Sequence, residues 1–82
     1  MIKGIYGYHD ALNGFINIFI DNTDKVAVRG FQSAIKTAES GSLFYSNPTD
    51  YSLYKLGTFD TDTGSITLEP APVILCRGEK DV

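Results

Sequence analysis

Few side chains in this 82-residue chain are of types that do covalent or metal chemistry, and their spacing leaves each of them isolated. His9 is the single histidine and Cys76 the single cysteine. Asp10 follows His9, but neighbours on an extended strand point to opposite faces, so the carboxylate cannot orient the ring as a general base. His9 therefore reads as a turn or surface residue. Cys76 ends the apolar run Val73-Ile74-Leu75, with Arg77 next to it to lower the thiol pKa, yet no general base accompanies it. It reads as a structural thiol on an edge strand. One cysteine makes no internal disulfide, and no Cys/His spacing suits zinc.

Asp60 and Asp62, interleaved with Thr61, Thr63 and Gly64, have the composition of a calcium loop but lack its further oxygen ligands and its bidentate Glu at the twelfth position. They read as a solvated hairpin turn. Gly4 and Gly7 fall within a strand rather than between a strand and a helix, which removes a standard phosphate loop. The expectation is a protein with no cofactor, no metal and no catalytic residues, acting by binding.

One constellation has a spacing suited to a ligand. Lys25, Arg29, Gln32 and Lys36 follow one another at i, i+4, i+7 and i+11, so on a helix three cations and an amide line one exposed ridge able to track a phosphate backbone. A solvated helix face is the structural alternative. A homodimer would double the number of cations. Exposed aromatic rings are the second ingredient for single-stranded nucleic acid, because bases of any sequence stack on them. Tyr6 and Tyr8, with Tyr51 and Tyr54, are the candidates; core packing is the competing role for all four.

These residues need elements to position them. Residues 2–8 alternate as a strand and a turn over His9–Gly14 leads to Phe15–Ile20, which is apolar on both faces apart from Asn17 and is expected in the centre of the sheet. The polar run 21–24 supplies N-cap oxygens for a helix over about 24–38. Its apolar stripe is Ala27, Phe31, Ala34, Ile35 and Ala38, with Gly30 at a point of close packing and Gly41 as the C-cap. Leu43–Tyr45 forms an apolar patch. Tyr51–Leu56 is compatible with a strand or with a helix begun by Pro48 and stopped by Gly57; the aromatic content and the turn that follows favour the strand. Residues 58–68 read as a hairpin with Gly64 at positive φ. Pro70 and Pro72 are expected to break the ladder, leaving Val73–Cys76 as a separate edge strand and 76–82 as a loose tail.

Eighty-two residues make one domain with a modest core. The net charge of −3 disfavours strong nonspecific binding to nucleic acid, which would then rely on a local basic patch. The opening MIKGIYGYHD has neither the apolar core nor the cleavage site of a signal peptide, and no stretch approaches the length of a membrane span, so the expected location is cytoplasmic.

The run from Asn47 to Asp60, continued by Thr61-Asp62-Thr63-Gly64 and Leu68-Glu69-Pro70, fits a P-x-D-Y-x-L-Y-x-L-G-x-F-D-x-x-T-G pattern. It resembles the small nonstructural protein of gokushovirus-like microviruses, tailless bacteriophages with circular single-stranded DNA genomes. Ile5-Tyr6 and Arg29-Gly30-Phe31 extend the resemblance over nearly the whole chain. It implies a nonenzymatic protein made during infection, in the host cytoplasm, that binds DNA and helps switch replication towards single-stranded genome synthesis and packaging. It implies no catalytic residues. Most motif positions also have a purely structural role: Tyr51, Leu53, Leu56 and Phe59 as core, Pro48 and Asp50 as turn formers, Gly64 as the hairpin glycine.

Together these readings predict an α+β domain, an antiparallel sheet of about four strands ordered ββαββ, with one helix on one face. The expected function is binding of single-stranded DNA through Lys25, Arg29, Gln32 and Lys36, with Tyr6 or Tyr8 stacking. The alternative is a protein–protein adaptor that recruits viral replication or capsid proteins through the Leu43–Tyr45 patch. Edge pairing through Val73–Cys76 would give a homodimer.

Overall fold

A computed structural model describes residues 1–79, except for the side chains of Leu43 and Tyr45. The elements are β1 (Ile2–Asp10), β2 (Gly14–Phe15), β3 (Phe19–Asp21), α1 (Asp24–Lys36), α2 (Leu43–Ser46), a 3-10 turn (Pro48–Asp50), β4 (Tyr51–Asp60) and β5 (Ile66–Arg77). The α+β class and the antiparallel sheet with one principal helix are as the sequence predicts.

The sheet runs β2-β1-β4-β5, with β3 also paired to β1, and every pairing is antiparallel. Tyr51–Leu56 is therefore strand, the first part of β4. The centre of the sheet is β1 and β4. The expected central strand Phe15–Ile20 is instead two short pieces on the margin, β2 and β3, broken at residues 16–18. The break has a local cause. The exposed Asn17 turns its side chain to β1, where its Oδ1 accepts from the Tyr8 N–H at 2.8 Å in place of a ladder carbonyl. Gly7 permits this crossing, since a Cβ there would lie 2.9 Å from the Asn17 carbonyl oxygen.

Helix α1 begins where the polar run predicts, with the Thr23 side chain accepting from the Val26 N–H at 3.2 Å. It ends at Lys36 with Thr37 as C-cap, short of residue 38. Gly41 has φ +96° but lies in the turn before α2, so it is not the cap of α1. Gly30 is also not a packing point: it is exposed, and a Cβ there would meet nothing within 4 Å. Ala27 and Phe31 are the buried members of the stripe and close on Tyr6, Tyr51 and Leu53 from the sheet.

The hairpin joining β4 to β5 is the one the sequence predicts, with Gly64 at φ +76° and its N–H donating to the Asp60 carbonyl at 2.8 Å. Pro70 and Pro72 do not end the ladder. β5 continues as one strand, because it is the edge of the sheet and a register irregularity between the Gly57↔Leu68 and Lys55↔Val73 pairs takes up the residues carrying the prolines. Nor is the segment after residue 75 a loose tail as far as it is described. Cys76 and Arg77 are in the strand, and the buried Gly78 donates its N–H to the Tyr51 carbonyl at 2.7 Å. Residues 80–82 of that expected tail lie outside the described residues.

Candidate nucleic-acid interface

Lys25, Arg29, Gln32 and Lys36 all lie on α1 and all are exposed. Their spacing places them on the side of the helix away from Ala27 and Phe31, so the core on one face and the cations on the other follow from the same period. From Lys25 to Lys36 the ridge is about 16 Å long at the helical rise. Gln32 is partly committed to the fold, with its Nε2 donating to Cys76 Sγ at 3.6 Å across to β5. Among the described residues, the salt bridges to side chains involve Met1 and Lys55, leaving the ridge cations outside them.

The tyrosines assigned to base stacking are elsewhere. Tyr6 is 0 % exposed, and its hydroxyl donates to Asp24 Oδ1 at 2.7 Å. Burial, then the neighbouring Asp24 carboxylate, hold its phenol well above the ordinary tyrosine range. Tyr8 is half-buried, its ring set edge-on to Phe19 and Phe31 at 5.4 and 5.1 Å and near Phe44 at 5.9 Å. Its phenol is raised by burial and then by Asp21. Both rings stand on the helix side of the sheet as core, and Tyr6 has no face left for a base. The apolar periodicity of β1 carries that signal, but it cannot say which face the helix will cover.

The patch expected at Leu43–Tyr45 is reduced in a similar way. Phe44 packs against Tyr51 at 4.5 Å and Tyr8 at 5.9 Å, so it is a core contact; the side chains of Leu43 and Tyr45 lie outside the described ones.

The opposite face of the sheet has no helix on it. There His9 packs against Phe15 and Tyr54 at 4.9 and 5.5 Å, and Phe15 meets Tyr54 at 5.4 Å. Asp10 points the other way and is buried, accepting from the Leu12 N–H at 3.0 Å and from Asn13 Nδ2 at 2.8 Å, which fastens the turn after β1. His9 and Asp10 are thus on separate faces and make no pair. Ile20, Ile66, Leu68 and Ile74 are also on this open face by register, an exposure that sequence reasoning missed. Its signal is the two-sided apolar character of Phe15–Ile20, a pattern that a central strand shares.

An α+β domain with a cationic helix ridge and an uncovered sheet face is the class that the geometry defines. The chain belongs to the phage ORF5 protein family, which it matches over residues 3–80, and it is a small phage protein. No curated protein and no solved structure was found to match it. No helix among the described residues is long and apolar enough to cross a membrane.

Proposed function

We propose that this is a nonenzymatic accessory protein of a gokushovirus-like microvirus that binds single-stranded DNA in the host cytoplasm and assists the switch to single-stranded genome synthesis and packaging. The observation that carries this reading is the exposed ridge of Lys25, Arg29 and Lys36 on α1. Three cations over about 16 Å contact a few phosphates, so binding is phosphate-led, weak per protomer and salt-sensitive, with Gln32 adding an amide. Stacking by Tyr6 and Tyr8 is no part of it.

The test is fluorescence anisotropy of a labelled single-stranded oligonucleotide titrated at low and physiological salt, with duplex DNA as control. Salt-sensitive binding that favours the single strand and is lost in the Arg29→Glu, Lys36→Glu double variant, with folding intact by circular dichroism, is the expected result. Unchanged affinity in that variant removes the ridge. A second reading, an adaptor for viral replication or capsid proteins, draws on the uncovered apolar sheet face. It predicts partner capture that survives the ridge reversal.

A further inference from the structure

The face of the sheet opposite α1 carries an apolar surface built by register, crossed at Gly7 by the Asn17 backbone. Ile20 of β3, Ile5 of β1, Gly57 of β4 and Leu68 of β5 form one row across four strands, buried at Ile5 and Gly57 and exposed at its two ends, and Phe59 and Ile66 form the next. Towards the other end, Phe15, Tyr54 and Ile74 continue it, and Leu56 reaches the same face beside Gly7. Leu68 is 70 %, Ile66 61 % and Ile20 51 % exposed. The paired stretches place no Asp or Glu on this face. Its cations, Lys3 at one end and Arg77 at the other, across Ser52 from His9, leave the middle uncharged.

A sheet that is apolar on both faces needs a layer on each. The chain supplies one, α1. The accessible surface is 5458 Å², whereas a folded monomer of 9.0 kDa is expected to expose about 4,850 Å². The excess, about 600 Å², belongs to the whole elongated chain, 42 × 22 × 17 Å, and the open face shares in it; a stable interface takes ~800 Å² from each partner.

We infer that this face is the interface with a second copy of the chain, sheet against sheet, with the two α1 helices on the outside. The apolar surface is self-complementary in chemistry, as an isologous contact requires, and stacking the sheets about 10 Å apart covers the exposed Ile20, Ile66 and Leu68 in both copies. The net charge of −3 does not oppose it, because the acidic groups of the paired strands lie on the helix side. This inference stands independently of DNA binding.

The experiment is sedimentation equilibrium of the full chain from low micromolar to submillimolar concentration, for the wild type and for Leu68→Glu and Ile20→Glu separately. Both side chains are largely exposed in the single chain, so the variants keep the fold, which circular dichroism checks. A wild-type dimer that dissociates at least tenfold more readily in both variants is expected. A wild type that stays monomeric throughout overturns the inference and leaves the face to another occupant, such as a different protein. A dimer indifferent to both substitutions also overturns it and points to pairing at the β5 edge.

Discussion

The hydroxyl of Tyr6, from the centre of the sheet, donates to Asp24 at the first turn of α1, and Lys55 of β4 holds the same carboxylate oxygen at 3.1 Å. This joins the helix start to both central strands. Tyr6 holds the Asp24 carboxyl below the usual range, with Lys55 adding to the effect and burial opposing it.

Replacing Tyr6 by Phe keeps the ring in the core and removes that donor. The expected cost is about 1.5 kcal/mol, that of a hydrogen bond to a charged group, measured by urea denaturation at neutral pH. A variant as stable as the wild type would mean that water serves Asp24 equally well.

The same pair contributes at both pH limits. Asp24 has a lower pKa folded than unfolded, so its contribution is present above about pH 4 and is lost as the pH falls through the folded value. Tyr6 has a higher pKa folded than unfolded, so its contribution is complete below about pH 10 and is lost as the pH rises beyond it. Thermal melts across pH should show Asp24→Asn with a shallower acid limb and Tyr6→Phe with a shallower alkaline one. Unaltered limbs would place the titrating groups elsewhere.

Two glycines should respond in opposite directions to alanine. Gly30 is exposed in the interior of α1 with open space around its Cβ position, so Gly30→Ala is expected to stabilise by about 0.5–1 kcal/mol. At Gly57 a Cβ would collide with the Thr67 carbonyl oxygen of β5, a backbone atom, so Gly57→Ala is expected to destabilise the β4–β5 pairing. Paired denaturation curves test both signs.

If the sheets stack as inferred, the two basic ridges face away from each other. A short single strand then meets only one ridge, and the slope of log affinity against log salt should be about −2, not −4. Binding stoichiometry should be one short strand per protomer. A slope near −4 on a short strand would place both ridges on the same side.

Much of this architecture can be read from the sequence because it is set locally. The polar run before Asp24, the stripe containing Ala27 and Phe31, and the turn ending at Gly64 act within a few residues, and each lies where its pattern places it. What could not be read depends on distant partners. Whether Phe15–Ile20 is central or marginal is decided by β4, which takes the other side of β1. Whether Pro70 ends a strand depends on whether that strand is an edge. The cations of α1 were legible as a ridge because helical period alone places them, whereas the fate of Tyr6 rested on Asp24, eighteen residues away.

The register irregularity of β5 at its prolines bears on how large an assembly can grow. A free strand edge is a template on which further chains add without limit. Here Pro70 and Pro72 lack the donors such addition needs, and the register irregularity around them divides the outer edge into two short runs, neither long enough to hold another chain firmly. If the sheets stack as inferred, contact through the sheet face ends with two copies, and the irregular edge keeps those pairs from joining into fibres.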